Sequence, residues 1–486
     1  MKKNSVHFIG IGGIGVSSLA YWFKAQSLDK LGTAKGRKWA VFGSDSVEGK
    51  ITLDLKKDGF KVKIGHKRGL LGPKTDLVIY SNAIGPDNPE LREARRRGIP
   101  MMSYPEAVGT LTRRYRTFGV AGAHGKSTTT ALLSLVLIKA GWDPTVIVGT
   151  KLKEFGGRNF RLGKSNYLVL EADEWKGAFW NYSPFGAIIT NIDREHLDFY
   201  KNFGNVKKSF LKYIGNIQTG GILVANRDSE KLFSLKKEIE KITKRNGVEL
   251  VWYSIAVASP PLVSRLKRNL SVPGKHNLQN AMAVYVLARN LGIPENKILR
   301  ALKGYHGAWR RMEFRGELRI RNKELGIRDK KVKAKRGDSI IHNSKFIIPI
   351  YDDYAHHPTE IKATLQAFRE KYPDSKIICV FQPHQAHRLK MLFNDFAHAF
   401  NDADSLILLP SYKVAGRDVS SKKYTSENLA KKIKGAIYLK NPRNLKKAVE
   451  KAVIHNSKFI IHNSVLIMMG AGTIVNSTDE LLRKMK

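Results

Sequence analysis

Residues 117–128 constrain the fold more than any other stretch of this chain. Thr117-Phe118-Gly119-Val120-Ala121 reads as an apolar strand. Gly122-Ala123-His124-Gly125-Lys126-Ser127-Thr128 reads as a glycine loop, and residues 129–140 as a helix that stops at Gly141. A loop of this kind at a helix N-terminus turns backbone N–H groups toward a phosphate. Lys126 is placed to neutralise the β- and γ-phosphates of ATP, and Ser127 to offer its hydroxyl to Mg²⁺. The general pattern carries a glycine five residues before the Gly-Lys pair; Val120 stands there, so the loop is a shortened variant. Gly-Lys-Ser alone recurs by chance, but between a strand and a helix it is far more specific.

A phosphate loop needs acids at nearby strand ends to hold Mg²⁺. Glu171-Ala172-Asp173-Glu174 follows a strand at 167–170, and Thr190-Asn191-Ile192-Asp193-Arg194-Glu195-His196 begins as the strand at 187–190 ends. In a parallel sheet both fall at the carboxyl edge, beside the loop. Mg²⁺ prefers oxygen ligands, which suits Glu171. His196 is a less usual ligand; it reads equally as a metal ligand or as a buried histidine bonded to a neighbour.

The chain opens with a second glycine loop. A strand at 6–9 runs into Gly10-Ile11-Gly12-Gly13-Ile14-Gly15 and a helix-like run at 16–23. The default reading of this order is NAD binding, with an acid about 20 residues further on. Asp45 lies further away, because the polar stretch 29–37 reads as a loop insertion. The same loop holds any diphosphate, and a separate ATP site makes a nucleotide-diphosphate substrate at least as good a reading. Strands at 39–42 and 77–80 end in Gly43-Ser44-Asp45 and Ser81-Asn82. Later strands at 346–351, 376–381, 405–409 and 465–469 alternate with helical stretches such as 359–371. Strands alternating with helices predict parallel sheets. The expected architecture is α/β, with three α/β domains in series: 1–115, 116–317 and 318–486.

The third domain carries Tyr351-Asp352-Asp353-Tyr354-Ala355-His356-His357-Pro358-Thr359-Glu360 at a strand end. Adjacent acids and histidines suit a site better than a core. The alternative is a polar turn with Thr359 or Asp353 as helix cap.

Composition bounds the rest. The chain has 486 residues, a length for two to four domains, and 42% are hydrophobic. No apolar run reaches the roughly 18 residues that a membrane span needs. The N-terminus passes straight into a strand with no leader-like stretch, and Cys379 is the one cysteine. Together these predict a cytoplasmic protein without membrane insertion. Net charge is +43. That balance suits nucleic-acid binding, but lysine is spread through every region, which reads as a diffuse basic surface. Short clusters occur at Arg95-Arg96-Arg97 and from Lys330 to Arg336. His342-Asn343-Ser344-Lys345-Phe346-Ile347 recurs as His455-Asn456-Ser457-Lys458-Phe459-Ile460, with His462-Asn463-Ser464 close behind. The copies are too short for a solenoid and lack ligand spacing; they read as insertions in loops just before strands.

In this order the motifs resemble the Mur ligase family over nearly the whole chain. The resemblance rests on the opening glycine loop, Gly43-Ser44-Asp45, Ser81-Asn82-Ala83-Ile84, Asp87-Asn88-Pro89-Glu90 and the phosphate loop. It rests further on Glu171 to Glu174, Asn191 to His196, Gly274-Lys275-His276-Asn277-Leu278-Gln279-Asn280, Arg310-Arg311, Asp352 to Pro358 and Phe381-Gln382-Pro383-His384. It implies an ATP-dependent ligase that phosphorylates the carboxylate of UDP-N-acetylmuramate and lets an amine attack the acyl phosphate. Gly12-Gly13 and Asp193 to His196 point to the branch that adds L-alanine; the alternative is the recycling branch that attaches a preformed tripeptide. The implied UDP-sugar contacts are Gly10, Gly12, Gly13, Gly15, Ser44, Asp45, Ser81 and Asn82. The implied ATP contacts are the loop 122–128, Asn277, Asn280, Arg311 and Asp353. Lys126, Glu171, His196 and Arg388 are the implied catalytic residues, with two Mg²⁺ ions near Ser127, Glu171 and His196. Tyr354, His356, His384 and Arg388 would line the amino-acid and muramoyl end, in a domain that closes over the site.

The sequence departs from the family pattern in places. Gln385-Ala386 follows His384 where arginine and tyrosine are usual, and Trp175-Lys176 replaces a small or acidic pair. The segment 319–346 is longer and more basic than usual. If that segment is an insertion, deletion of residues 328–343 should leave activity within about twofold. Loss of turnover in a variant that still unfolds cooperatively would give the segment a role in the reaction.

Overall fold

Apolar runs alternating with amphipathic stretches give three sheets. The computed structural model describes residues 4–25, 39–321, 345–412, 423–454 and 464–483. The first sheet comprises β1 (Asn4–Ile9), β2 (Trp39–Asp45), β3 (Lys61–Ile64), β4 (Leu77–Tyr80) and β5 (Met101–Ser103). Its order is β3-β2-β1-β4-β5, with every neighbour parallel. Val6, Phe8, Val78 and Ile79 are fully buried, because a parallel sheet is covered on both faces. Strand order reverses across β1, so a crevice opens at the carboxyl ends of β1 and β4. The first glycine loop leaves β1 there, and the N–H of Ser81 donates to the carbonyl of Ile9 (2.9 Å).

The second sheet comprises β6 (Arg116–Ala121), β7 (Thr145–Leu152), β8 (Arg158–Arg161), β9 (Tyr167–Glu171), β10 (Gly186–Ile189), β11 (Ile222–Asn226) and β12 (Glu249–Tyr253). Its order is β12-β11-β10-β6-β9-β7-β8, parallel except for the β7–β8 hairpin. β6 lies between β10 and β9, so the loops after β9 and β10 flank the loop after β6, as parallel pairing requires. The third sheet comprises β13 (Glu313–Arg321), β14 (Lys345–Asp353), β15 (Lys376–Phe381), β16 (Ser405–Leu408), β17 (Ile437–Tyr438) and β18 (Ser464–Met469). Its order is β13-β14-β18-β15-β16-β17, with β13 antiparallel to β14.

The first two sheets belong to one compact unit, Met1–Val272 with Asn277–His306. The third belongs to a second unit, Pro273–His276 with Gly307–Lys486. That unit starts ahead of the expected residue 318, because β13 hydrogen-bonds to β14, with Leu318 opposite Ile348. The helix expected from 129 begins at Lys126, since Gly125 already serves as its N-cap. The repeated segments run into β14 at Lys345 and β18 at Ser464. Their residues 342–344, 455–460 and 462–463, the insertion 29–37 and the basic run 330–336 lie outside the described residues. Among the described residues, no helix is long and apolar enough to cross a membrane.

The β7–β8 hairpin ties the first sheet to the second. The helix Ile14–Ala25, which follows the first glycine loop, packs on it. Tyr21 stacks on Phe160 with ring centroids 6.2 Å apart. Asn159 is 4% exposed. Its side-chain amide donates to the carbonyl of Ile14 and to Ser17 Oγ (3.0 Å), while Ser18 Oγ donates to its carbonyl (3.0 Å). These polar groups are largely buried. Asn159→Ala should therefore cost about 1–3 kcal/mol of stability, read as a lower denaturation midpoint. An unchanged midpoint would mean the hairpin does not brace the helix.

Candidate active site

The loop after β6 owes its shape to two glycines with positive φ. Gly122 has φ 145°, and a Cβ there would lie 2.0 Å from Thr190 Oγ1. Gly125 has φ 82°, and a Cβ there would lie 2.6 Å from Asn280 Oδ1. No side chain but glycine's fits either position. The end of β10 braces the loop. Asn191 Oδ1 accepts the N–H of His124 (2.9 Å), and the Thr190 hydroxyl donates to the His124 carbonyl (2.6 Å). The helix Lys126–Ala140 starts without a capping side chain. Its first N–H groups therefore suit an anion. Asn277 and Asn280 are buried on the helix Lys275–Asn290, where Asn280 closes on Gly125.

Acids gather around Lys126. Its ammonium donates to the Gly122 carbonyl (2.7 Å) and to Glu174 Oε2 (2.7 Å), with Asp173 Oδ1 at 3.8 Å. Burial alone would lower the Lys126 pKa, but the charges of Glu174, Asp173 and Glu171 raise it above the ordinary range, so it stays protonated. Burial raises Glu174, and the ammonium of Lys126 beside it pulls it back toward the charged form. Burial also raises Glu171, although Lys126, the Gly149 N–H and Ser127 all favour its charged form. The Ser127 hydroxyl donates to Glu171 Oε1 (2.9 Å), and the Gly149 N–H donates to Glu171 Oε2 (2.6 Å).

Ser127 and Glu171 were expected at one ion and His196 near a second. Ser127 and Glu171 stand together, whereas His196 Nε2 lies 3.5 Å from Glu174 Oε1. Asp173, Glu174 and His196 offer ligand atoms within 4.8 Å of one another. His196 is turned there by a left-handed backbone (φ 53°) ahead of the helix Leu197–Tyr200. Glu174 was legible as part of a motif but not as the partner of Lys126. Its 2% exposure arises from tertiary packing, and its place three residues after Glu171 was the one signal.

The first glycine loop is held from below. Gly10 and Ile11 donate their N–H groups to the Ser44 carbonyl (2.8 and 3.0 Å), and Gly12 donates to Asp45 Oδ2 (2.8 Å). Ser44 was expected to touch substrate, but it is fully buried and its hydroxyl donates to Glu90 (2.8 and 2.9 Å). Its side chain is thus committed to the core, and it serves the loop through its carbonyl. His7 Nε2 (2.6 Å) and His66 Nδ1 (2.7 Å) meet the same carboxylate. Burial would raise Glu90, yet the bonds from His66, His7 and Ser44 hold it below the usual carboxylate range. Ser81 packs over Gly10, where a Cβ would lie 3.0 Å from its own. Gly13 is roomier, with 3.4 Å to the nearest atom.

Sequence reasoning missed Tyr104. A Cβ on Gly15 would lie 2.8 Å from the Tyr104 hydroxyl, and that hydroxyl is raised by burial and by the charges of Asp173 and Glu171. Tyr104 therefore packs on the first glycine loop, within electrostatic range of the acids beside the phosphate loop.

In the second unit the cluster after β14 forms its own group. Asp353 was expected to face a nucleotide, but it is 2% exposed. Its carboxylate accepts the N–H groups of Met312 (2.8 Å) and Ala355 (2.8 Å), so it shapes the turn from within. The helix Pro358–Lys371 is capped by His357, not by Thr359 or Asp353. Arg311 lies 3.6 Å from Glu360 and 5.1 Å from the Tyr354 ring. His356 packs edge-on to His384 (5.9 Å), which stacks on Tyr412 (5.4 Å) and lies 3.5 Å from Arg388 Nη1. Tyr354, His356, His384 and Arg388 are thus brought together, with Tyr412 as an unforeseen member.

Family models described as Mur ligase family, catalytic domain; Mur ligase middle domain; and Mur ligase, glutamate ligase domain match residues 5–116, 120–288 and 339–472. A UDP-N-acetylmuramate–L-alanine ligase from Aquifex aeolicus is 36% identical over 98% of this chain and 97% of its own length. The chain belongs to the Mur ligase family. Among solved Mur ligases, the UDP-N-acetylmuramate–alanine ligase of Thermotoga maritima superposes with a TM-score of 0.71 at 26% identity, covering 99% of this chain and 98% of its own. A murein peptide ligase from Psychrobacter arcticus shares the fold, with a TM-score of 0.67 at 20% identity and coverage of 99% and 98%.

For this Mur ligase, Gly149 is a sensitive position. A Cβ there would lie 2.6 Å from Glu171 Oε1, so Gly149→Ala must displace the carboxylate that holds Ser127. Turnover should fall roughly 10- to 100-fold with little change in thermal midpoint. Wild-type turnover would show that the position of Glu171 does not matter.

Proposed function

We propose that this Mur ligase joins L-alanine to the carboxylate of UDP-N-acetylmuramate at the expense of ATP, in peptidoglycan precursor synthesis. The observation that carries the reading is that one compact unit holds both a diphosphate-type loop and an ATP-type loop, with Tyr104 packed on the first. Such a pair suits a reaction in which an anionic substrate meets a γ-phosphate. The names of the full-length relatives supply the chemistry.

The Gly10–Gly15 loop binds the UDP part, with Asp45, Ser81 and Asn82 at its rim. The loop 122–128 binds the ATP phosphates, with Asn277 and Asn280 toward the base. The muramoyl carboxylate oxygen attacks the γ-phosphorus, ADP leaves, and an acyl phosphate results. Lys126 spreads the charge that builds as two anions approach. The L-alanine amine then attacks the acyl carbon, phosphate departs with the bonding pair, and the amine loses its proton. Tyr354, His356, His384 and Arg388 take the acceptor amino acid, with Arg388 suited to its carboxylate, and Arg311 takes a phosphate or ribose oxygen.

The donor set also fits Mg²⁺. Ser127 and Glu171 offer oxygen ligands, and Glu174 Oε1 is buried without a hydrogen-bond donor. Ser127 with Glu171 would hold one ion, and His196 with Asp173 and Glu174 a second. Bound there, the ions would supply Lewis-acid neutralisation of phosphate charge. Substrates such as ATP and a UDP sugar suit a cytoplasmic enzyme.

The test is phosphate release with Mg²⁺ and ATP, adding UDP-N-acetylmuramate and then L-alanine, glycine, L-serine or the wall tripeptide. Release should require both the UDP sugar and L-alanine. Release with the tripeptide alone would move the enzyme to the recycling branch. Lys126→Ala should lower turnover at least about 100-fold while the protein still unfolds cooperatively. Unchanged turnover in that variant would falsify the role given to the loop.

A further inference from the structure

The first glycine loop has anions for neighbours. Asp45 sits on Gly12, Glu90 lies under Ser44, and Asp173 acts on Tyr104 beside Gly15. The N–H groups of Gly10, Ile11, Gly12 and Gly13 are already taken by the Ser44 carbonyl, Asp45 and the Gly10 carbonyl, which leaves little of the loop's own backbone for a bound diphosphate. A cation is needed at the rim, and Lys126 serves the second loop, 2.7 Å from Glu174.

Lys176 is where such a cation would be. It stands just past Glu174 in a turn of two left-handed residues, Lys176 (φ 52°) and Gly177 (φ 68°). A Cβ on Gly177 would lie 2.4 Å from Trp180, so the turn is fixed by packing and Lys176 is thrown outward. Its side chain is exposed and crosses from the second sheet to the first, where Nζ donates to the Asn82 carbonyl (3.0 Å). Asn82 follows Ser81, which covers Gly10. Trp175 supports the ammonium with its ring centroid 5.0 Å away. Among the described residues, no carboxylate lies within 4.0 Å of Lys176 Nζ. An ammonium has three N–H donors. One goes to Asn82, and the others remain for a ligand at the loop.

We infer that Lys176 is a binding residue of this enzyme, whose ammonium pairs with the diphosphate of the UDP sugar. The inference rests on the reading of the first loop as the UDP site. Lys176 joins the two halves of the unit only by a neutral carbonyl, so its charge is free for the substrate. It thus adds affinity for the UDP sugar without entering the ATP site.

The test is calorimetric binding of UDP-N-acetylmuramate, UDP and uridine to the full chain and to Lys176→Met and Lys176→Arg, with steady-state kinetics alongside. Lys176→Met should weaken UDP-N-acetylmuramate and UDP about equally, roughly 10-fold, and the loss should shrink as salt is raised. Affinity for uridine and KM for ATP should not move, and Lys176→Arg should restore most of the binding. Loss for UDP-N-acetylmuramate but not for UDP would overturn the diphosphate assignment in favour of the muramoyl carboxylate. Equal affinities in wild type and Lys176→Met would overturn the role altogether. Failure of the wild-type protein to bind any uridine ligand would instead sink the UDP-site reading itself.

Discussion

A buried ammonium amid carboxylates is the constraint on which the site depends. Lys126 lies at the start of a helix, where the macrodipole already favours anions. A lone cation there would be disfavoured by both burial and dipole. Glu174 at 2.7 Å, with Asp173 and Glu171 behind it, reverses that balance. These acids can serve it because β9 runs parallel to β6 and ends at the same edge. The parallel pairing of two strands thus determines the charge state of one lysine. It also explains why the loop after β9 cannot vary freely, since each of its acids faces Lys126, Ser127 or His196.

The same pairing explains what the sequence could and could not disclose. The strand at 77–80 and the strand at 376–381 were legible to the residue, because buried parallel strands are unbroken apolar runs. β7 and β8 went unread. Their hairpin carries Lys151, Arg158 and Arg161 among its apolar residues; Asp54 and Asp58, far along the chain, stabilise the first two, and Asp143, just ahead of β7, the third. β13 went unread for a similar reason, as its partner β14 lies across a long connection. Local periodicity reports burial by a neighbouring layer. It does not report pairing with a strand brought in from elsewhere.

The site shows the same division. Glycines at Gly122 and Gly125 were readable, because only a left-handed or crowded backbone makes such residues necessary. Ser44 and Asp353, expected at a ligand, both turn their side chains inward, for a shared reason. Each is a polar residue at the carboxyl end of a strand, where ligands bind. Each turns inward to satisfy backbone or a buried carboxylate, Asp353 on Met312 and Ala355, Ser44 on Glu90. Position in sequence identifies the edge of the sheet but not the direction of a side chain. Tyr104 and Lys176 are the converse. They lie outside any phosphate motif, and only the meeting of the two sheets brings one to Gly15 and the other to Asn82.

The net charge of +43 takes on a different meaning beside this geometry. The catalytic edge is not basic. Glu171, Asp173, Glu174 and Asp193 crowd it, against Lys126, Lys231 and the neighbouring histidines. A basic surface raises the local concentration of anionic substrates over distances near the Debye length, about 8–10 Å. It does not stabilise a phosphate once that phosphate is bound among carboxylates. The two tasks need different cations: many diffuse ones outside, and a few fixed ones inside whose positions are set by packing. Lys126 is fixed by its ion pair, whereas Lys176 is fixed by a strained turn and a carbonyl. An ion pair holds a lysine in place by sharing its charge with a partner, whereas a turn holds the backbone and leaves the whole charge to a ligand. The acid-rich edge therefore accounts for both lysines, one as the partner of its carboxylates and the other as the counterweight to them.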